Sequence, residues 1–395
     1  MFFLIGPDRD PRFENSYYLN STAWLNTDAG WHEVWTTAGS VHFKGYCLEH
    51  PLQQTLAQAL LEDPTPRFAG NFAAIISHRS GSVTVTHDRD RAFPLIWDPE
   101  RRQLGNIGTQ DGCNIWADAV ATVDPQADVV EHRWDPGRAV GTPLSMSAAV
   151  DTLFARLTQT FSYLKHYDRG PIRLFFSGGI DTLTCLALLR YLDIPHDMVW
   201  AEHFEYDRFT TSFVPQFRRD ARYWGYQQIH HWRQPGMLVT GGCGDEMFMR
   251  GPATVNMMLM HLGMEMSDLL QPTDYHWDYF QQAKNQKIYQ SQQSDTVLLQ
   301  DLQSPAGTHA RIIDTMLNDH QHWHLGHTLT FTPFKDLEIL RTVLRLDSQD
   351  LQRQMANAEL QREIIQRCDP ALLAYLSPRK NDSMTLVWKM YQDLI

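Results

Sequence analysis

The chain has 395 residues, 43 % of them hydrophobic, with 23 Gly and 20 Pro; this excludes a disordered or fibrous protein and leaves room for two domains. A formal net charge of −12 gives no general attraction to phosphate backbones and argues against a nucleic-acid binder. The five cysteines (Cys47, Cys113, Cys185, Cys243 and Cys368) are scattered without CxxC spacing, as expected of free thiols in a reduced compartment.

The start, MFFLIGPDRD, has no basic segment before its short apolar run, and no stretch of about 18 apolar residues follows anywhere. Neither a signal peptide nor a membrane span is expected, and the reading is cytoplasmic. The first 110 or so residues read as mostly strands. Phe72–Arg79, Ser82–Asp88 and Phe93–Asp98 are short β-rich runs, and Ser80-Gly81 between the first two predicts a hairpin. Leu52–Asp63 is the one helix predicted here, with leucines at three- and four-residue spacing and a stop at Pro64. From about Asp124 to Pro143 the sequence is irregular (DPQAD, WDPGRA, GTP), which places a domain boundary there.

A helix is predicted from about Ser145 to Tyr167. Ile172–Phe176 (IRLFF) is an almost wholly apolar run, as for a strand buried on both faces. Ser177-Gly178-Gly179-Ile180-Asp181-Thr182 follows, then a helix ending before Ile194-Pro195, and a strand in HDMVWAEH. Met237–Val239 is a further apolar strand that ends in Thr240-Gly241-Gly242-Cys243-Gly244-Asp245-Glu246. The rest, from about Thr254, is dominated by helical patterns. Strands alternating with helices, then a helical bulk, indicate an open parallel sheet with flanking helices.

Both glycine-rich segments carry chemistry. In the first, Gly178 and Gly179 permit a tight turn and close approach of a ligand, and the helix's first amides make a phosphate site. Ser177 and Thr182 offer hydroxyls. A carboxylate there repels bare phosphate, so Asp181 makes sense as a ligand of Mg²⁺ carried by a polyphosphate. On spacing alone, Ser177 and Asp181 serve equally as ordinary helix caps. Strand ends on one edge of an α/β sheet share a crevice, so Asp181 and Asp245 are expected around one metal–pyrophosphate unit, with Gly241 and Gly244 lining it. No Lys follows the glycines, so neither segment is a GxxxxGK[ST] phosphate loop.

SGGIDT resembles the pyrophosphatase loop, commonly SGGxDS, of the ATP-pyrophosphatase superfamily. VTGGCGDEMFMRG is similar to the LSGEGADELFGGY segment of asparagine synthetase and its relatives, FTPFKD (Phe331–Asp336) to their RVPFLD, and SPRKND to their late lysine-bearing stretch. The order agrees over about 145 to 390. Relatives of this kind include β-lactam and carbapenam synthetases and lasso-peptide macrolactam cyclases. The resemblance implies ATP and Mg²⁺, with Ser177, Gly178, Gly179 and Thr182 holding phosphate, Asp181 and Asp245 holding Mg²⁺, and Lys380 stabilising charge in amide formation. Read without the resemblance, Lys380 is a surface lysine. AGNFAAIISHR and HDRDRAFPLIW resemble stretches of the family's glutaminase domain. A working glutaminase of this type needs Cys as its second residue; Phe2 stands there, so this part is expected to be a structural or regulatory relic.

The resemblance therefore implies an α/β chain. Residues 145–395 would form a parallel sheet of adenine-nucleotide α-hydrolase (PP-loop) type with a helical extension. Residues 1–130 would form a mainly antiparallel β, Ntn-hydrolase-like domain. Departures fall on the acceptor side: the family's glutamate falls on Gly242, its Arg on Phe331, and the glycine after the late lysine on Asp382. The expected function is adenylation of a small-molecule or peptide carboxylate and its transfer to an amine without glutamine, in an intramolecular (lactam or macrolactam) or intermolecular reaction. A partner protein delivering the substrate is compatible with it. The alternatives are an asparagine synthetase using free ammonia and a nucleotide-binding scaffold without catalysis. His203 and Glu205 are candidates for contacts to the acyl group or adenine. His320, His322, His324 and His327 have spacing zinc accepts but no further ligand to complete a site, and read as solvent-facing positions.

Overall fold

The computed structural model describes residues 3–89, 95–106, 113–114, 119–123, 129–133, 141–176, 179–202, 223–225, 235–250 and 329–376. The architecture is mixed α/β, and among the described residues it comprises two six-stranded antiparallel sheets and one five-stranded parallel sheet. Among the same residues, no helix is long and apolar enough to cross a membrane.

The antiparallel sheets are drawn from residues 3–133. Their strands are β1 (Phe3–Gly6), β2 (Asn15–Asn20), β3 (Ala23–Thr27), β4 (His32–Trp35), β5 (Gly39–Cys47), β6 (Gly70–His78), β7 (Val83–His87), β8 (Ile96–Asp98), β9 (Gln103–Gly105), β10 (Cys113–Asn114), β11 (Ala119–Val123) and β12 (Val129–Arg133). One sheet has the order β10-β8-β9-β1-β3-β2 and the other β12-β11-β7-β6-β5-β4. The pleat explains the apolar run in β6. Ala73 and Ile75 face the first sheet, sharing a core with Phe3, Ile5, Leu25 and Leu104. Phe72, Ala74 and Ile76 point the other way, onto Leu56, Ala57 and Leu60 of helix α1 (Gln53–Glu62). The layers are thus sheet, sheet, helix. The Ser80-Gly81 hairpin forms as expected, closing β6 onto β7.

The parallel sheet is built from β13 (Ile172–Phe176), β14 (Asp197–Glu202), β15 (Tyr223–Gly225), β16 (Met237–Val239) and β17 (Leu329–Phe331), in the order β15-β14-β13-β16-β17. Every pairing in it is parallel. The chain runs outward from β13 through β14 to β15, then returns to the other side of β13 for β16 and β17. That reversal between β13 and β16 is a topological switch point, the place where open α/β sheets commonly bind ligands.

Helix α2 (Met146–Ser162) starts at Ser145, whose hydroxyl accepts from Ala148 N, and ends in a 3₁₀ turn at Tyr163–His166, inside the expected span. Helix α3 (Ile180–Tyr191) is buried almost all round, including Leu183, Leu186, Leu188 and Leu189, each worth about 1.5–3 kcal/mol of burial. One-turn α4 (Gly244–Met247) follows β16, and α5 (Leu337–Leu344), α6 (Ser348–Asn357) and α7 (Glu359–Cys368) follow β17.

The two parts meet along β5, β6 and β17. Asn71 donates to the Thr330 carbonyl at 3.0 Å, and Tyr46 stacks on Tyr163 and Phe331 with ring centroids 5.0 and 5.3 Å away. Asp336, at the end of the FTPFKD segment, accepts from both Arg89 (3.0 Å) and Arg156 while capping α5 through Glu338 N. One carboxylate thus ties the antiparallel part to α2 and α5.

Candidate functional site

Both glycine-rich segments sit at the switch point. β13 ends at Phe176, and α3 begins after Gly179, which occupies the N-cap position. The first intrahelical bond runs from Leu183 N to the Gly179 carbonyl, which leaves the first-turn amides of α3 without intrahelical partners. Thr182, buried in that turn, donates its hydroxyl to the Gly179 carbonyl at 3.0 Å. Asp181 lies in the first turn, where the helix dipole favours a carboxylate. On the neighbouring strand, β16 ends at Val239 and the chain turns through Gly241 and Gly242 into α4, which carries Asp245.

Two glycines of the second segment are required by the first. A Cβ built on Gly244 would overlap the Asp181 carboxylate and lie 3.0 Å from its Cβ. A Cβ on Gly241 would lie 2.8 Å from the Asp181 Cβ and 3.0 Å from Thr182 Cγ2. The absent side chains are the space into which the α3 N-terminus is set.

Asp181 and Asp245 are brought to a single cation, the guanidinium of Arg250. Arg250 Nη2 pairs with Asp181 Oδ2, and Nη1 lies 2.6 Å from Asp245 Oδ1. Arg250 Nε donates to Gln361 Oε1 at 2.7 Å, and Gln361 Nε2 returns to Asp181 Oδ1 at 2.6 Å. Arg250 and Gln361 are buried, the latter completely, whereas the Asp181 and Asp245 side chains are 19 % and 35 % exposed. The cluster therefore has a closed floor and an open carboxylate rim. Arg250 is ion-paired with both acids, and Gln361 braces the guanidinium and Asp181 by hydrogen bonds.

Sequence reasoning found Asp181, Asp245, Gly179, Thr182, Gly241 and Gly244, and the structure brings them together. Ser177, Gly178 and Lys380, as well as His203, Glu205, His320, His322, His324 and His327, lie outside the described residues. Arg250 and Gln361 were missed. The signals available were an arginine closing the apolar run MFM and a glutamine beside Leu360, three and four residues before Ile364 and Ile365 on the buried face of α7.

The donor set fits Mg²⁺ of a particular kind. Among the described residues, no group of three or more His, Cys, Asp or Glu side chains is placed to hold a metal. Two partly exposed carboxylates meeting at one point are nonetheless the hard-oxygen pair that Mg²⁺ uses when water and phosphate complete its shell.

Three of the described thiols are held in their protonated form by burial. Burial and the nearby Asp181 carboxylate hold Cys185 well above the ordinary thiol range. Burial pushes Cys47, the first cysteine of the chain, up to about 12, and Cys368 up to about 11. No family model matches this chain, and a search of the curated proteins gives no match.

Proposed function

We propose that the chain is an ATP-dependent carbon–nitrogen ligase that joins a carboxylate to AMP, releases pyrophosphate, and lets an amine displace AMP to form an amide. In this reading the parallel sheet is of ATP-pyrophosphatase type, residues 145–395 form the synthetase part, and residues 1–130 are an Ntn-hydrolase-like relic. The observation that carries it is the convergence of two glycine-rich strand ends, each bearing an aspartate, at the switch point of the parallel sheet.

Each residue has a task there. The first-turn amides of α3, with Ser177, Gly178 and Gly179, bind polyphosphate oxygens, and the Thr182 hydroxyl holds the turn through the Gly179 carbonyl. Asp181 and Asp245 would hold Mg²⁺, which when bound offsets charge on the pyrophosphate leaving group. Gly241 and Gly244 make room for Asp181 and Thr182 at the start of α3. Lys380, by resemblance alone, offsets the developing oxyanion as the amine attacks. Glutamine is not expected to supply the amine, since Phe2 stands where a glutaminase of this type needs Cys. Free ammonia, a separate amine or an amine within the acyl substrate remains, and the last gives a lactam or macrolactam.

One observation favours a second reading, a nucleotide-binding subunit without catalysis: Arg250 already neutralises part of the acidic pair. Product analysis separates the two. The chain is incubated with α-labelled ATP, Mg²⁺ and a panel of acids and amines, and nucleotides are resolved by chromatography. The ligase reading expects labelled AMP, without ADP, only when a particular acid is present. Nucleotide that binds and is recovered intact under every condition supports the scaffold.

A further inference from the structure

Resting on the nucleotide-site reading above, we propose that Arg250 makes divalent-metal binding at Asp181 and Asp245 conditional on the nucleotide, so that the metal enters with the triphosphate and does not bind before it. Arg250 forms ion pairs with both carboxylates that would receive the metal. It does not sit there as a mobile surface residue. Its side chain is 3 % exposed, and its Nε is held by Gln361, itself fully buried. Gln361 in turn grips the other Asp181 oxygen, so the guanidinium and the carboxylate are cross-braced by one amide. Above it Phe248 packs against Phe334 at 5.6 Å, and Gln354 donates to the Phe248 carbonyl.

The charges decide the order of events. Two carboxylates alone present −2 to an incoming ion; with Arg250 between them the three side chains sum to −1. A fixed like charge about 5 Å from the ion lowers divalent affinity by roughly tenfold at the dielectric of water and on the order of 10⁵-fold at an effective dielectric of about 20. A bound triphosphate adds several negative charges at the open rim and restores the balance with Arg250 still in place. Arg250 is thus a positioning residue: it holds Asp181 and Asp245 in place while the metal is absent, and withholds the pair from free cations.

The test is Mn²⁺ binding to the full chain by electron paramagnetic resonance, with and without a non-hydrolysable ATP analogue, in the wild type, Arg250→Gln and Arg250→Lys. The wild type is expected to bind Mn²⁺ at least tenfold more tightly with the analogue than without it. Arg250→Gln is expected to bind Mn²⁺ alone at least about tenfold more tightly than the wild type, as the lost charge requires. Arg250→Lys, which breaks the fork but keeps the charge, is expected to stay near the wild type. A purely structural arginine would leave the nucleotide-free affinity unmoved in both variants. If wild type binds one Mn²⁺ without nucleotide as tightly as with it, and Asp181→Asn abolishes that binding, the inference is wrong while the nucleotide site stands. If the analogue itself fails to bind, measured in parallel by calorimetry, the functional reading falls and takes this inference with it. Should Arg250→Gln not fold, the wild-type comparison decides alone.

Discussion

Gly244→Ala tests how tightly the two glycine-rich segments are interlocked. The new methyl would overlap the Asp181 carboxylate, so either that side chain leaves its place or α3 and α4 separate. If the carboxylate leaves, it loses Arg250 and Gln361, and a buried guanidinium loses one of its two acids. Removing one partner of a buried pair costs about 3–5 kcal/mol, and the figure is reduced here because Asp181 is partly exposed. Overpacking a filled site costs about 1–3 kcal/mol, and Ala in place of Gly returns up to about 1 kcal/mol in a helix. The expected net destabilisation is about 2–4 kcal/mol. Urea unfolding followed by tryptophan fluorescence reads it directly, since the chain has 12 Trp. The decisive comparison is a double-mutant cycle. In an Asp181→Ala background the carboxyl group that collides with the methyl is gone, and Gly244→Ala should then cost less than about 1 kcal/mol. Costs that simply add in the double variant would refute the interlock.

Two further perturbations follow from buried charges. His42 is buried, its Nδ1 has no hydrogen-bond partner, and burial depresses it to about 4 from its ordinary 6.5. Between those pH values the unfolded chain holds the extra proton, so stability falls as pH drops from about 6.5 to about 4, by up to about 3 kcal/mol. Urea melts at pH 7 and 4.5 should show His42→Gln losing less than the wild type; equal losses would exclude His42 as the source. Asp336→Ala removes the acceptor shared by Arg89 and Arg156 together with the cap of α5, and should cost about 2–4 kcal/mol. Asp336→Asn, which keeps a capping oxygen, should cost less, and a melting curve for Asp336→Ala that overlays the wild type would contradict the bridging role.

The fold was legible where sequence pattern and burial coincide. IRLFF is a strand buried in the sheet centre and β13 occupies those residues; the leucine spacing of 52–63 and the Ser80-Gly81 turn likewise became α1 and a hairpin. In β2 and β4 pattern was a weaker guide, because these are edge strands with most residues at least partly exposed and little alternation to read. The carboxylates of the site were legible because each follows a glycine turn at the end of an apolar run. What organises them was not. Gln361 lies 180 residues from Asp181 and Arg250 69 residues from it; the packing of α7 on α3 brings the first to Asp181, and the pairing of β16 with β13 the second. A buried polar side chain satisfied by partners so far along the chain leaves just a local break in an apolar face. The same holds for Asp336, whose two arginines come from β7's end and from α2.

The measurement that bears most directly on the central claim is ATP–pyrophosphate exchange with Mg²⁺. It is run over aspartate, other amino acids, N-carboxyalkyl amino acids and short acidic peptides, beside Asp181→Ala and Asp245→Ala. Adenylation of a carboxylate predicts exchange that depends on one acid and vanishes in both variants. Exchange independent of any acid, or unchanged in both variants, would contradict it.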